Sequence, residues 1–282
     1  MKIVASGMSG FIGRPLQEAL KQKHELVILR RDASQEERDR QTDGADAVIN
    51  LSGEPIAGGR WTKARKKELI TSRLQTTRAW AKAIGKARVR PKVFINASAT
   101  GYYGPRDDAP VDESAPAGMG FLADLCKEWE RQAMKAESLD SRVVLLRTGI
   151  VLGRQGGALG KMLLPFKMGL GGPLGSGKQM MSWIHLDDEV SAIRHVLETP
   201  SIRGPVNLTA PNPVRMSEFA KCLGKALRRP ALIPVPAFAL RILLGEMSGL
   251  LLTGQNVIPG ALCHSGFQFK FSRLEPALLD LA

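Results

Sequence analysis

The sequence predicts an α/β fold, a doubly wound parallel sheet with a smaller C-terminal lobe. Strand-like apolar runs alternate with helical stretches along the first 150 residues, which is the pattern of parallel βα units. A glycine-rich turn joins the first of these runs directly to an amphipathic helix. Nine glycines between 153 and 177 then mark a change in composition, which predicts the second lobe.

The predicted elements follow in order along the chain. Strands are expected at 1–6, 26–29, 45–51, 92–98, 142–147 and 206–209. Helical patterns follow Gly13, occupy much of 60–92 and 119–138, and return from Glu189 and from Leu274. Only thirteen residues, 32–44, separate the second strand from the third, and they do not fit a full helix plus strand. We therefore expect the third strand of the usual order to be short or missing. The predicted domains are 1–150, to which 186–210 returns, and a lobe built from 151–185 and 211–282.

The N-terminal turn has the spacing Gly7-x-x-Gly10-x-x-Gly13. Gly7 ends the strand where the chain must turn, Gly10 lets backbone approach phosphate oxygens, and Gly13 permits close packing of helix on strand. This geometry directs backbone N–H groups and a positive helix end at a diphosphate. Glycine turns also occur in α/β proteins without a ligand, but the position between strand and helix favours a dinucleotide site.

The second strand ends in Arg30-Arg31-Asp32, where this fold meets the adenosine ribose of a dinucleotide. An acidic residue there accepts from the 2′-hydroxyl of NAD, whereas arginine accommodates the 2′-phosphate of NADP. The two arginines favour NADP, and Asp32 is the argument for NAD. An exposed arginine pair without a ligand is the remaining interpretation.

Composition limits the class of protein. The chain has 282 residues, 44% of them hydrophobic, which suits one large α/β domain with or without a lobe. Its three cysteines, Cys126, Cys222 and Cys263, lack metal-ligand spacing. We therefore expect reduced thiols, no metal and a cytoplasmic protein without a signal peptide. The most apolar region, 231–252, is interrupted by prolines and charges, so we expect a buried or pocket-lining helix and no membrane span.

The positive charge is concentrated in one segment. Residues 60–92 contain twelve lysines and arginines and one acid, Glu68, which gives +11 of the chain's net +13. A solvated helix face and a surface for nucleic acid or anionic lipid both explain this excess. Aromatic residues are few there and no nucleic-acid module is recognised, so we favour the solvated face and expect no nucleic-acid partner.

Several motifs together resemble a known family. They are Ser6–Gly13, Asn50–Gly53, Ser98–Gly104 and, above all, Arg147–Gly153. The chain resembles the atypical, extended short-chain dehydrogenase/reductases of the nucleotide-sugar-epimerase type, and within them the branch called "epimerase family protein". The resemblance implies a Rossmann-type fold with a C-terminal substrate lobe, and NADP held through Arg31. The expected cofactor-binding residues are Gly7, Ser9, Gly10, Phe11, Ile12, Gly13, Arg30, Arg31, Leu51, Ser52, Gly53, Ala97, Ser98, Gly149 and Ile150.

The resemblance fails at the catalytic pair. Extended members use Tyr-x-x-x-Lys, whose lysine lowers the pKa of the tyrosine. Alignment on Glu130 puts Leu122 at the tyrosine position and Cys126 at the lysine position, and neither can replace its counterpart. Candidate substitutes are Ser98 or Thr100 for a substrate hydroxyl, and Tyr102 or Tyr103 as proton donor, with Lys127 expected to point elsewhere. Trp183 and His185 are candidate substrate contacts, His185 equally suits a structural role, and Asp187 and Asp188 are expected to cap the helix from Glu189.

These observations predict an NADP(H)-binding oxidoreductase or epimerase-like enzyme of unknown small-molecule substrate. The alternative is a protein that binds NADP without hydride chemistry and serves as a redox sensor or regulator. The missing tyrosine and lysine favour the sensor, whereas the apolar, glycine-rich lobe favours an enzyme with a substrate pocket. A homodimer is expected only by analogy with extended relatives.

Overall fold

The computed structural model describes residues 1–106 and 108–282. The strands are β1 (Lys2–Ser6), β2 (Glu25–Leu29), β3 (Ala47–Asn50), β4 (Val93–Ala99), β5 (Pro110–Val111), β6 (Arg142–Thr148), β7 (Ile150–Leu152), β8 (Met180–Met181), β9 (Trp183–His185), β10 (Gly204–Leu208), β11 (Val214–Arg215) and β12 (Asn256–Val257). The helices are α1 (Gly13–Lys21), α2 (Gln35–Thr42), α3 (Lys63–Lys86), α4 (Phe121–Ala133), α5 (Gly157–Lys167), α6 (Leu186–Glu198), α7 (Met216–Ala226), α8 (Ala237–Leu244), α9 (Gly249–Leu252), α10 (Gly260–His264) and α11 (Leu274–Leu281). Short 3₁₀ turns lie at Thr100–Tyr103, Met134–Leu139 and Gly245–Ser248.

The central sheet has six strands in the order β10-β6-β4-β3-β1-β2. Every neighbouring pair is parallel, so all six strands end at one edge. The chain runs outward from β1 to β2 and then returns to the other side of β1 as β3, so the strand order reverses between β1 and β3. The predicted doubly wound α/β sheet is confirmed, and its crevice for ligands lies at this reversal.

The second strand forms an edge of the sheet. Residues 32–44 contain the single short helix α2, which begins after the N-cap Ser34, and no further strand. The Ser34 side chain accepts from the Glu37 N–H at 3.1 Å, which fixes the start of that helix. The missing third strand of the usual order is therefore confirmed, and no other strand of the described chain pairs with the outer side of β2.

Two apolar layers cover the sheet. Ile3 and Ala5 point to one face, where they pack with Leu16 of α1 and Ile193 of α6. Val4 points to the other face and packs with Trp80 of α3. The alternation follows from the strand geometry, because successive side chains lie on opposite sides of a sheet. Helices on both faces hold the strand ends in place and leave the carboxyl edge open for a site.

A further apolar cluster lies in the C-terminal part of the chain. It joins Leu159 and Phe166 of α5 to Trp183 of β9, Phe219 of α7 and Leu278 of α11. These residues come from the two segments predicted to form the lobe. Among the described residues, no helix is long and apolar enough to cross a membrane.

Two local expectations are wrong. The region 231–252 is not buried throughout, because Leu232 is 82% exposed and Phe238 of α8 is 67% exposed, while the pocket-lining alternative stays a prediction. The helix expected from Glu189 begins at Leu186, and His185 caps it, since the His185 ring accepts from the Asp187 N–H. Asp188 instead accepts from the backbone N–H groups of residues 270 and 271, which belong to the C-terminal part of the chain.

Candidate cofactor and active site

The glycine turn after β1 lies directly against the end of β3. Gly7 has φ +82°, and a Cβ there would lie 2.5 Å from the carbonyl carbon of Leu51. A Cβ on Gly13 would lie 2.2 Å from the Gly7 carbonyl oxygen. Gly10 is exposed, as is Ser9, and its Cβ would approach only the Gly7 oxygen, at 3.3 Å. The fold itself therefore requires Gly7 and Gly13, whereas Gly10 leaves the backbone open to a ligand.

The start of α1 presents unpaired donors above this turn. Among the described residues, the backbone N–H groups of Phe11 and Ile12 have no backbone acceptor. Ile12 is the N-cap residue, supplies no side-chain acceptor, and is followed by a first turn without acidic residues. Free N–H groups and the positive end of a helix are what a diphosphate needs, so the residues present fit a dinucleotide.

The two arginines after β2 have different surroundings. Arg31 Nη1 donates to Glu54 Oε1 at 2.5 Å, which links the end of β2 to the loop after β3. That hydrogen bond is the main cause that lowers the pKa of Glu54. Arg30 has an 87% exposed side chain and pairs with Asp32 at 3.2 Å. Only Arg31 turns towards the crevice, as the resemblance implied.

Arg38 of α2 holds the turn that carries these arginines, a role that the sequence analysis missed. The residue is 4% exposed, donates to the carbonyl oxygen of Arg31 at 2.6 Å and also to that of Ala33, and lies 5.5 Å from the Trp80 ring. A cleft of about 600 Å³ opens beside it, and its lining includes Arg31, Arg38 and Ser72. One arginine in a polar segment gives no sequence signal for such a buried role.

A buried polar network fixes the strand ends behind the glycine turn. Asn50 Nδ2 donates to Asn96 Oδ1 at 2.7 Å and to Thr77 Oγ1 at 3.2 Å. Ser6 Oγ donates to Asn50 Oδ1 at 3.0 Å, and Trp129 Nε1 donates to Thr77 Oγ1 at 2.9 Å. The network joins β1, β3, β4 and two helices, so it sets the spacing of the crevice. The sequence indicates this network only through Asn50 and Asn96, which are polar residues at the ends of two apolar runs.

Arg73 of α3 reaches the loop after β3 beside this network. Its Nη2 donates to the Glu54 carbonyl oxygen at 3.0 Å and its Nη1 to the Leu69 carbonyl oxygen at 3.2 Å. Its guanidinium carbon lies 5.1 Å from the centre of the Trp129 ring, and a Cβ on Gly53 would approach it to 3.2 Å. Burial lowers the pKa of Arg73, and no carboxylate of the described residues pairs with it. The Arg73 guanidinium thus lies beside Gly53, and its hydrogen bonds go to backbone carbonyl oxygens.

Ser98, near the end of β4, belongs to a second buried network. Ser98 Oγ donates to Glu130 Oε1 at 2.6 Å. Arg147 donates from Nε to the same oxygen at 2.9 Å and from Nη2 to Glu130 Oε2 at 2.8 Å. Tyr103 is fully buried, donates from its hydroxyl to Asn207 at 2.8 Å and accepts from Arg147 at 2.9 Å. Burial raises the pKa of Tyr103. Its hydroxyl is therefore occupied inside the protein, which argues against a role as proton donor.

Tyr102 is the more open of the two tyrosines. It is partly exposed, and the Arg147 guanidinium carbon lies 3.5 Å from the centre of its ring. Within the described residues its hydroxyl makes no hydrogen bond. Ala97 lies one residue before Ser98 on the same strand, and its carbonyl oxygen accepts from Asn96 Nδ2 at 2.8 Å. The end of β4 thus carries Ala97 and Ser98, and Tyr102 lies in the 3₁₀ turn that follows, where it packs against Tyr103.

The turn after β6 closes the other side of the site. The Gly149 N–H donates to the Leu208 carbonyl oxygen at 3.0 Å, and the Ile150 N–H donates to the Ser182 carbonyl oxygen at 2.8 Å. Thr148 Oγ1 donates to Glu189 Oε1 at 2.9 Å, while Glu189 Oε2 is buried without a partner. Burial raises the pKa of Glu189 to about 8. A carboxyl group that is neutral at neutral pH therefore lies directly behind the strand end.

The two candidate substrate residues are buried. Trp183 is 0% exposed and donates from its ring to the Asn212 carbonyl oxygen at 3.0 Å. His185 is 2% exposed, caps α6 and lies 4.1 Å from the Phe271 ring. Both positions argue against a direct substrate contact. Across residues 1–106 and 108–282, no group of three His, Cys, Asp or Glu side chains is placed to hold a metal ion.

Comparison with known proteins agrees with this geometry. The family model described as "NAD dependent epimerase/dehydratase family" matches residues 3–208, which span every strand of the central sheet. The chain belongs to this family. A second model, a domain of unknown function, matches residues 235–281. The epimerase/dehydratase assignment thus covers the glycine turn, the arginines after β2 and the networks behind them.

Relatives within the epimerase/dehydratase family match the whole chain. The chloroplastic SDR39U1 homolog of Arabidopsis thaliana is 42% identical and covers 99% of this chain and 86% of its own length. An epimerase family protein of Mycobacterium leprae is 42% identical over 98% of this chain and 94% of its own. The crystal structure of human SDR39U1 with NADPH has a TM-score of 0.94 at 38% identity, with 100% of this chain and 99% of that one covered. The cytoplasmic location expected for this chain stays a prediction, since the Arabidopsis relative is named as chloroplastic.

The helix that carries the usual pair of extended family members has a different chemistry here. Leu122 and Cys126 are one turn apart on α4 and face Gly101, whose Cβ would lie 3.3 Å from Leu122 Cβ and 3.9 Å from Cys126 Sγ. Burial raises the pKa of Cys126 to about 12, so its thiol stays neutral. Lys127 points away and pairs with Asp124 at 2.7 Å, as predicted. Neither the phenol nor the ammonium of the usual pair stands on this helix.

Proposed function

We propose that this protein is an NADP(H)-dependent oxidoreductase or epimerase-like enzyme acting on a small molecule. The observation that carries the proposal is the glycine turn at the reversal of the sheet. There Gly7 faces the Leu51 carbonyl, α1 directs free N–H groups outward, and Arg31 stands at the next strand end. This arrangement supplies a diphosphate site after β1 and a 2′-phosphate site after the neighbouring strand β2. The NADPH present in the crystal of human SDR39U1 supports the same choice of cofactor.

The cofactor residues divide by their roles. The turn from Gly7 to Gly13 holds the diphosphate, with Ser9, Gly10, Phe11 and Ile12 as the residues that meet it. Arg31 binds the 2′-phosphate, and Arg30 stays in solvent with Asp32. Backbone at Leu51–Gly53, Ala97–Ser98 and Gly149–Ile150 lines the rest of the crevice. When bound, NADP(H) would supply hydride transfer, which the protein side chains cannot perform.

The chain's own residues supply orientation and protons. Ser98 Oγ donates to Glu130, and its oxygen remains available to accept from a substrate hydroxyl. Tyr102 is the remaining phenol whose hydroxyl is not occupied, so we propose it as the proton donor. Arg73 supplies the positive charge that the usual lysine would bring, but from α3 and beside Gly53. Its fixed guanidinium orients hydroxyl or phosphate oxygens and does not itself exchange a proton.

The segments 151–185 and 211–282 form the proposed substrate lobe. Their apolar cluster of Phe166, Trp183 and Phe219 is distinct from the two layers on the sheet, so the lobe has a core of its own. A glycine-rich segment on such a core can approach a ligand bound at the carboxyl edge. The substrate itself stays unassigned.

Titration calorimetry with NADPH and NADH tests the cofactor part of this proposal. We expect NADPH to bind at least roughly ten-fold more tightly than NADH, since an arginine–phosphate pair is lost with NADH. Absence of heat with both nucleotides from folded protein would overturn it. Loss of NADPH absorbance in a screen of carbonyl and nucleotide-sugar compounds tests the catalytic part, with Tyr102→Phe as the variant expected to bind NADPH normally and lose turnover. Tight NADPH binding without turnover across the screen would assign the protein to the sensor class.

A further inference from the structure

Large apolar side chains are exposed in two neighbouring segments of the C-terminal part. Of the fourteen exposed large hydrophobic residues among those described, eight lie within 164–170 and 232–243. They are Leu164, Met168, Leu170, Leu232, Ile233, Phe238, Ile242 and Leu243, which together we call the apolar face. Their exposed fractions run from 49% for Ile233 to 82% for Leu232. Such a concentration exceeds the scattered apolar residues of an ordinary protein surface.

The two segments lie side by side. The Ile233 N–H donates to the Gly171 carbonyl oxygen at 3.2 Å, and the Val235 N–H donates to the Pro173 carbonyl oxygen at 3.0 Å. Helix α5 leads into this paired stretch and α8 leaves it two residues after Val235. Leu164 of α5 and its C-cap residue Met168 are four apart, as are Phe238 and Ile242 of α8, so each pair shares a side. The stretch after α5 and the stretch before α8 are therefore neighbours, and each helix adds exposed apolar side chains to one end of this pair.

Segments 164–170 and 232–243 contain no acidic residue, and Glu246, which follows α8, is paired with Lys66 of α3. Residues 155–186 hold three lysines and no acid, and residues 219–245 hold five lysines and arginines and no acid. Among the described residues, Lys167, Arg228, Arg229 and Arg241 form no ion pair with a carboxylate, and all four are exposed. Arg241 lies within α8 itself, next to Ile242. Cations without a carboxylate partner thus lie within both apolar segments, at Lys167 and Arg241, and just before the second, at Arg228 and Arg229.

We propose that the apolar face docks on an anionic lipid bilayer. Apolar side chains are stabilised when they enter the boundary between headgroups and acyl chains, and the neighbouring cations are stabilised by anionic headgroups. A bilayer with anionic lipid therefore accounts for both the exposed apolar residues and the cations. Nucleic acid would use the cations and leave the apolar residues in water. A second copy would bring like charges together in a symmetric contact. The proposed contact is peripheral, because it is made by the exposed side chains of the apolar face. This inference does not depend on the proposed function.

Vesicle flotation of the full chain tests the proposal. The probes are vesicles of phosphatidylcholine alone and of phosphatidylcholine with about one third phosphatidylglycerol. We expect roughly ten-fold more bound protein on the anionic vesicles, falling with added salt. Phe238→Ser with Ile242→Ser should reduce that binding by roughly ten-fold, and Arg228→Glu with Arg229→Glu should do the same. All four positions are exposed, and an unchanged melting temperature together with unchanged NADPH titration shows that the fold is intact.

Two matched controls separate this surface from the others. Met119→Ser removes an apolar residue that is 86% exposed outside the apolar face, and Lys82→Glu with Lys86→Glu removes charge from the end of the basic helix α3 that lies away from α8. Both should leave vesicle binding within about two-fold of the parent protein. Equal amounts of protein floating with vesicles that contain and that lack anionic lipid would overturn the proposal. Loss of vesicle binding in the α3 variant alone would overturn it as well. A dimer in sedimentation that dissociates in Phe238→Ser with Ile242→Ser, without vesicle binding, would assign the face to a second copy instead.

Discussion

Arg31 and Glu54 form a 2.5 Å ion pair across the place where the 2′-phosphate is proposed to bind. The arginine comes from the end of β2 and the glutamate from the loop after β3, 23 positions apart in the sequence. An incoming phosphate therefore competes with Glu54 for the same guanidinium. Glu54 also accepts from Arg65 at 3.4 Å, so it has a second partner when Arg31 leaves.

This pair predicts how cofactor selectivity responds to substitution. Arg31→Ala should weaken the binding of NADPH by roughly 10- to 100-fold and leave the affinity for NADH within about two-fold of the parent protein, because only NADPH has the 2′-phosphate. Arg30→Ala is the matched control and should change neither, since Arg30 is paired with Asp32 in solvent. Glu54→Gln should tighten NADPH by about two- to five-fold by freeing Arg31, the range of a partly exposed pair. Calorimetric titration of the four proteins measures these values, and equal losses for both nucleotides in Arg31→Ala would contradict the assignment.

The network of Ser98, Glu130 and Arg147 predicts a large effect on stability. Glu130→Gln leaves the Arg147 guanidinium buried without its carboxylate and should cost about 3–5 kcal/mol of unfolding free energy. Glu128→Gln on the same helix removes the carboxylate of Arg131 in a more exposed pair and should cost at most about 1 kcal/mol. Urea denaturation of both variants provides the comparison. Similar losses in the two would mean that the buried pair contributes no more than the exposed one.

His185 predicts a loss of stability in mild acid. Burial lowers the pKa of this ring in the folded protein, and its Nδ1 must stay unprotonated to accept from the Asp187 N–H. As pH falls below 6.5 the unfolded chain takes up a proton that the folded ring resists, so the folded state loses stability. His185→Asn keeps an N-cap acceptor and should remove that part of the pH dependence, whereas His185→Ala should cost about 1 kcal/mol at neutral pH as well. Thermal melts between pH 5 and 8 would show an unchanged slope in His185→Asn if the ring has no such role.

The buried carboxyl group of Glu189 predicts a loss of stability as the pH rises. Burial raises its pKa to about 8, so the unfolded chain releases this proton first, beginning near the ordinary value of 4.5. The folded protein should therefore lose stability from about pH 4.5 up to about pH 8, by roughly 3–5 kcal/mol in total, and change little above that. Glu189→Gln has no proton to lose and should lack this decline, while keeping an acceptor for Thr148. Denaturation curves at several pH values separate the two proteins, and parallel curves would show that Glu189 is already ionised in the fold.

The parts of the site that depend on local sequence were predictable. Gly7 and Gly13 mark a turn that no other residue fits, and Arg31 follows a strand whose end position is set by the sheet. Pairings between distant segments were not predictable, because they depend on which strand ends become neighbours. Asn50 and Asn96 are 46 residues apart and meet only because β3 and β4 are adjacent in register.

The wrong expectations have the same origin. His185 and Asp188 are both suitable caps, and the choice between them is made by backbone at 270–271, which takes the Asp188 carboxylate. Tyr102 and Tyr103 are indistinguishable in the sequence, yet Asn207 and Arg147 occupy the hydroxyl of Tyr103 alone. The apolar run 231–252 looked like core, and its exposure follows from packing that hydropathy does not report.

The position of β2 at the border of the sheet has a practical consequence for protein engineering. Residues 30–42 follow β2, and they contact the rest of the fold mainly through α3, by Gln35 and Asp39, and through the Arg31–Glu54 pair. Exchange of this stretch for one with an acidic strand end should convert the preference from the phosphorylated nucleotide to its unphosphorylated counterpart without rebuilding the interior. The arginine that selects the nucleotide thus lies in a stretch of about a dozen consecutive positions, and its partner Glu54 tunes it from the neighbouring loop.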